Sequence, residues 1–177
     1  MDGQVVLKNI KTRRVIRSMT DQPVERVQLE EILEAARWAP AGGNKRMLRF
    51  VAIQESETLR LLRMVSPGMS QRPMAAVVIC RDLDKLPPCR LLVDDPASYI
   101  DVGAAMQNMM LAAHALGLGS GPVTSFSKEA VRVLLNLPAN LVPELILCVG
   151  YPSAGDQLPM RPKQKVTWQS LTDWERY

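Results

Sequence analysis

One stretch limits the architecture more than any other. From Asp95-Pro96 to about Leu116 the sequence predicts a long helix, opened by an Asp cap and a proline at its first position. Ile100, Val102, Ala104, Ala105, Met106, Met109, Met110, Leu111, Ala112 and Ala113 leave it apolar nearly all round. A helix without a polar face is buried on most sides. The 177 residues supply one ordinary core, so such a helix calls for cover from a second subunit as well. Gly117 stands where a C-terminal cap glycine belongs.

Other elements follow from period and punctuation. A short basic helix is expected over Lys8 to Arg17. Arg26 to Arg37 is a second helix, with Val27, Leu29, Ile32, Leu33 and Ala36 as its apolar stripe and Glu30, Glu31 and Glu34 toward water. Pro40 stops it, and Ala41-Gly42-Gly43 opens a loop. Strands are expected over Leu48 to Gln54, Ala75 to Arg81, Gly119 to Thr124 and Glu144 to Gly150. Ser56 and Ser127 are read as caps of further helices, running to about Val65 and Asn136. Leu83 to Asp94 reads as a loop. Helices alternating with strands give a mixed α and β class around one sheet, in a single domain over residues 1–177. The tail, 151–177, carries Trp168 and Trp174 without periodicity, which implies docking onto something.

Composition narrows the function classes. The chain is 47% hydrophobic and 23% charged, with a formal charge of +4. Mild basicity suits an anionic small molecule or weak nucleic-acid binding. Aromatics make up only 5% and do not interleave with basic residues, which argues against a nucleic-acid partner. No apolar run reaches the ~18 residues of a membrane span, and the polar N-terminus does not look like a signal peptide. Three cysteines, Cys80, Cys89 and Cys148, are an odd, widely spaced set, which speaks against a disulfide framework or a zinc site. A cytoplasmic setting is the expectation, with no membrane partner and no metal.

Four segments have the residue types to hold a ligand. Arg13-Arg14-Val15-Ile16-Arg17 places guanidinium forks where phosphate oxygens could be gripped, although taken alone it reads better as a solvated basic face. Pro40 to Arg46 offers two glycines for close backbone approach and, in Asn44, a side chain that both donates and accepts; a plain helix-to-strand turn serves as well. Leu116 to Phe126 has three glycines and a proline, with N–H groups that could meet a ring nitrogen, or is simply a cap followed by an edge strand. Arg161 to Lys165 adds charge near the tail, as would any solvated run. His114, the single histidine, reads as a satisfied side chain, Asp94 and Asp95 as caps, and the ten methionines as core filling. No side-chain triad or nucleophile elbow is visible.

In order and spacing these segments resemble the nitroreductase family, in its shorter-chain form. The matching features are the basic opening, Pro23-Val24 before a helix, and that helix ending Ala35-Ala36-Arg37-Trp38-Ala39-Pro40. Gly42-Gly43-Asn44 then leads to Arg49-Phe50-Val51, and the long helix ends Ala113-His114-Ala115-Leu116-Gly117-Leu118-Gly119. The likeness spans residues 8 to 177 and is weakest between 60 and 95. It implies an FMN-binding α+β fold, a central mostly antiparallel sheet flanked by helices, and an intertwined homodimer whose tails embrace the partner.

By that resemblance Arg13 and Arg14 would contact the FMN phosphate or ribityl chain. Arg17 would lie toward the pyrimidine edge, its charge favouring the reduced flavin. Ala41, Gly42 and Asn44 would approach from the other subunit. Pro122, Val123 and Thr124 would lie along the ring, with a backbone N–H near Thr124 or Ser125 at its reactive nitrogen. Arg161 and Lys163 would close on the phosphate. Two departures stand out: Val15 replaces a serine, and Asn44-Lys45-Arg46-Met47-Leu48 replaces Asn-x-Gln-Pro-Trp, setting Arg46 near the pyrimidine side. The implied activity is two-electron transfer from NAD(P)H to a nitroaromatic, quinone or similar small acceptor by a ping-pong mechanism. The cofactor carries the chemistry, and no catalytic side chain is required. The alternatives are a specialised member that fragments flavin or reductively dehalogenates an aromatic, and an FMN-binding protein without NAD(P)H turnover.

Overall fold

Strand β2 (Ala75–Asp82) is buried along its whole length, and the period-2 alternation of its side chains accounts for the layering. The computed structural model describes residues 2–86, 96–154 and 166–175. Within them the chain runs α1 (Gly3–Thr12), α2 (Arg26–Arg37), β1 (Leu48–Ile53), α3 (Ser56–Met64), β2, α4 (Pro96–Ala115), β3 (Gly119–Val123), α5 (Lys128–Leu134) and β4 (Leu141–Gly150). The four strands form one sheet in the order β1-β2-β4-β3, every neighbouring pair antiparallel. On one face Ala75, Val77 and Ile79 join Leu145, Leu147 and Val149 and pack against α2 and α4. On the other, Ala76, Val78 and Cys80 join Ile146 and Cys148 beneath α3 and α5. The expected α+β class and antiparallel sheet are what the molecule has.

The register of β2 on β4 shifts between Ile79, opposite Leu145, and Cys80, opposite Pro143, so Glu144 is left out of the pairing. A bulge of this kind re-aims a side chain. Here the Glu144 carboxylate meets the Arg81 guanidinium at 2.6 Å and also pairs with Lys128. Arg81 in turn donates to Ser98 Oγ (3.0 Å) and Tyr99 Oη (3.1 Å), tying the sheet to the first turn of α4.

Helix α4 ends as expected. Gly117 takes φ +77°, Leu118 N–H donates to Ala113 O at 2.8 Å, and Gly117 N–H donates to His114 O at 3.1 Å, a Schellman cap. Val102, Ala105, Met109, Met110 and Ala113 are buried, yet Ile100 is 70% exposed and Ala104, Met106 and Leu111 are only half-buried. One chain therefore covers one side of a helix that is apolar on both.

Three local readings are corrected. The first helix spans Gly3–Thr12, not Lys8 to Arg17: Asp2 caps it, and after Thr12 the chain turns extended because Val15 bridges to Ser120 on β3. Ser56 is not a cap but the first residue of α3, with Glu55 at the cap position. Strand β4 begins at Leu141, ahead of the expected Glu144. Ser127 does cap α5, accepting from Ala130 N–H. The expected Asp95 cap and the stretch 87–94 lie outside the described residues.

Candidate functional site

The arginine segment is held where it is by glycines. Ile16 N–H donates to Ser120 O at 2.9 Å, and the chain from Val15 to Met19 lies across the ends of β3 and β4. A Cβ on Gly119 would stand 2.8 Å from the Ile16 side chain, and one on Gly121 2.7 Å from the Ile16 carbonyl. A Cβ on Gly150 would meet Met19 Sδ at 2.9 Å. The openness of Gly119 and Gly121, read in the sequence as room for a ligand, is taken up by the protein's own chain.

That contact brings the first and third sequence segments together. Arg13 is the C-cap residue of α1, and its Nε and Nη1 are buried with no hydrogen-bond partner. A buried cationic donor without an acceptor is costly unless an anion completes it. Arg14 is exposed and donates to Lys11 O (2.7 Å) and Arg13 O (2.8 Å), where its charge also suits a helix C-terminus. Arg17 is exposed. Along β3, Pro122 is half-buried, while the Val123 side chain is 2% exposed and belongs to the core under α3 and α5. Thr124 and Ser125 are exposed, and the Ser125 carbonyl accepts from Gly68 N–H at 2.9 Å. Arg161 and Lys163 lie outside the described residues.

The second segment forms a separate group. Gly42–Asn44 is a short 3-10 turn, and Gly43 (φ 60°), Asn44 (φ 55°) and Arg46 (φ 47°) all take left-handed backbone. Gly42 N–H is held by both carboxylate oxygens of Asp101 on α4, at 3.0 and 3.1 Å. Arg46 Nη1 donates to the Arg37 carbonyl. Beside this loop lies a cleft of about 470 Å³ floored by Ala36, Met47, Leu48 and Phe50, with Arg37, Arg46, Arg49 and Asp101 on its walls. Arg49 pairs with Asp82 at 3.4 Å. Arg37 pairs with Glu34, and its hydrogen bonds, with that of Trp38 Nε1, lower the Glu34 carboxyl pKa to about 2.

The two groups sit toward opposite ends of α4. Gly42 is tied to Asp101, whereas α1 is tied to Leu111 O by Asn9 Nδ2 (3.1 Å) and to His114 Nε2 by Thr12 Oγ1 (2.9 Å). From Asp101 to His114 the helix axis advances about 20 Å at ~1.5 Å per residue. Asp101 was not singled out from the sequence. Its signal was there: it is the one Asp, Glu, Lys or Arg in the twenty residues of α4. The cleft left no such trace, because a turn, a helix end and an edge strand build it jointly.

Comparison with known proteins decides the family. The family model for nitroreductases matches residues 10–151. The chain belongs to the nitroreductase family. It is 34% identical over 154 residues to an Archaeoglobus fulgidus protein named as an NADH dehydrogenase/NAD(P)H nitroreductase, covering 82% of this chain and 84% of that one. It is 26% identical over 184 residues to an FMN reductase [NAD(P)H] of Bacillus subtilis, covering 93% and 73%. Among solved structures it is similar to a nitroreductase family protein from Clostridium difficile, with a TM-score of 0.80, 32% identity, and coverage of 97% and 98%. Membership of the nitroreductase family accounts for the α+β fold and for the order of the ligand-type segments along it.

Proposed function

We propose that this nitroreductase-family chain is an NAD(P)H-dependent oxidoreductase that works with FMN and passes two electrons to a nitroaromatic, quinone or similar small acceptor. The observation that carries the reading is Arg13, whose Nε and Nη1 are buried without an acceptor, two residues before Val15 bridges to Ser120 on β3. A phosphate group is the natural complement of such a guanidinium, since charge-assisted bonds to its oxygens are short and strong. The names of the relatives, which include an FMN reductase and NAD(P)H nitroreductases, agree.

Bound FMN would supply the two-electron chemistry that side chains lack. The residues position and charge the site. Arg13 and Arg14 would hold the phosphate end, joined by Arg161 and Lys163. Arg17 and Arg46 would add positive charge toward the pyrimidine edge, favouring an electron-rich ring. Pro122 and Thr124 would offer side-chain surface along the ring, while Val123 and Ser125 contribute backbone.

Ala41, Gly42 and Asn44 belong to this site if a second copy supplies them. Within one chain they are tied to the end of α4 remote from Arg13, while α1 and α4 leave apolar surface bare: Val5 is 64% exposed and Ile100 70%. Trp168 and Trp174, in edge-to-face contact at 6.4 Å, are also exposed. A homodimer burying these surfaces would bring the loop of one copy to the arginines of the other.

The deciding experiment is an absorbance spectrum of the purified protein, with FMN added if needed, before and after anaerobic NADH and NADPH. A flavin band near ~450 nm that bleaches supports the reading. A band that persists with both donors turns the reading to a flavin binder without NAD(P)H turnover, and no bound flavin at all removes the cofactor assignment.

A further inference from the structure

A charge buried in an apolar helix needs a reason. Asp101 is 5% exposed, and α4 contains no Lys, Arg, Glu or other Asp. Among the described residues the hydrogen bonds it accepts come from one group, the backbone N–H of Gly42, which both of its oxygens share at 3.0 and 3.1 Å. Salt-bridge partners within 4.0 Å are absent among the described residues. The carboxylate is spent on holding one point of the main chain.

That point starts a strained loop. Of the four residues 43–46, three have positive φ, and two of those, Asn44 and Arg46, carry side chains. Backbone of this kind persists only where the surroundings over-determine it. Two ties do so here: Asp101 at the start, and Arg46 Nη1 on the Arg37 carbonyl at the end. Between them Asn44 N–H closes onto Ala41 O at 2.8 Å. The Gly42 methylene faces the same carboxylate, close enough that a Cβ there would stand 3.8 Å from Asp101 Oδ1, so the loop seats directly on Asp101.

We propose that Asp101 is a positioning residue: its carboxylate pins Gly42 and so sets the Ala41–Asn44 backbone in the geometry that meets the flavin. This rests on the FMN reading above. Because Asp101 lies one residue after Ile100, which is 70% exposed, the pin also sits on the stretch of α4 that a second copy would cover.

The test compares wild type with Asp101→Asn, which keeps one acceptor oxygen, and with Asp101→Leu and Asp101→Ala, which keep none. Leu fills the volume in an already apolar helix, so a folded variant without the acceptor is available even if Ala does not fold. Two quantities are read: amide hydrogen exchange over residues 41–46 in the flavin-free protein, and FMN affinity by fluorescence titration. Loss of a bond to a charged acceptor should speed Gly42 exchange and weaken FMN binding by roughly tenfold or more in the Leu variant, with Asn restoring most of both. A purely structural role would lower the melting temperature and leave loop exchange and FMN affinity alike in Asn and Leu. Wild-type exchange in Asp101→Leu overturns the pin, and fast exchange with unchanged FMN affinity overturns its role in positioning. A wild type that binds no FMN sinks the functional reading instead, and the exchange data then judge the pin alone.

Discussion

Gly121 lies so close to Ile16 that a methyl group on its Cα would stand 2.7 Å from the Ile16 carbonyl oxygen. The glycine leaves room both for the arginine segment against β3 and for the buried Gln71 side chain, whose Nε2 would be nearer still to such a methyl group. Gly121→Ala must displace the Gln71 side chain and push residues 15–17 away or distort the strand, and overpacking of this kind costs about 1–3 kcal/mol. The expected result is a lower melting temperature together with weaker FMN binding, since Arg13 moves with Ile16. An unchanged melting temperature would show that the contact has slack.

Arg13 should behave in the opposite way. Its Nε and Nη1 are buried without a hydrogen-bond partner, so Arg13→Met removes two unpaired buried donors without breaking a bond. Thermal melting of the flavin-free protein should hold or rise. FMN affinity should fall by about 1.5–3 kcal/mol, the range for hydrogen bonds to charged groups. Equal FMN affinity would place the phosphate elsewhere.

The bulge residue Glu144 carries a structural load. Its side chain is 4% exposed and is shared by Arg81 and Lys128. Glu144→Gln leaves the Arg81 guanidinium buried beside a neutral amide, and breaking a buried pair from one side costs about 3–5 kcal/mol. Chemical denaturation measures this directly. Lys128→Ala, whose side chain is 45% exposed, should cost far less.

Burial pushes both described thiols, Cys80 and Cys148, up to about 12. A raised thiol pKa means the folded state holds its proton more tightly than the unfolded chain, whose thiols titrate near ~8.5. The resulting stability is complete below that value and is lost as pH climbs toward 12. Native protein at pH 8 should leave both thiols unlabelled by a thiol reagent, and melting temperature should fall between pH 9 and 12. Rapid labelling of either cysteine at pH 8 in folded protein would contradict the buried placement.

Dimerisation is testable on α4. Ile100 is 70% exposed on an otherwise apolar helix, so Ile100→Glu should leave the monomer folded. Sedimentation should show a dimer for wild type and a monomer for the variant, with FMN lost alongside. A dimer that survives the change would place the interface on another face.

The fold was largely legible because its signals are local. The stripe of α2, the short apolar runs of the strands and the cap at Gly117 each sit within a few residues of the structure they dictate. Thr12 to Ile16 shows the limit: basic residues continue past the helix end, and nothing local reveals that Val15 will pair with Ser120, more than a hundred positions away. The same distance hid the purpose of Gly119, which makes way for Ile16, and of Gly121, which makes way for Ile16 and Gln71. Asp101 could have been found as a lone charge in an apolar helix, but its partner, a backbone N–H on Gly42, has no signature of its own.

By itself, then, the sequence determined the class of the fold, the existence of a helix that is apolar nearly all round, and the family whose order of segments it shares. Periodicity, caps and breakers act over a turn or two, and they suffice for that much. Tertiary structure decided that Arg13 Nε and Nη1 would be buried without an acceptor, that Asp101 would hold Gly42, and that the two groups of ligand-type residues would lie toward opposite ends of α4. Those outcomes depend on which distant segments pack together, and packing is set by the whole chain at once.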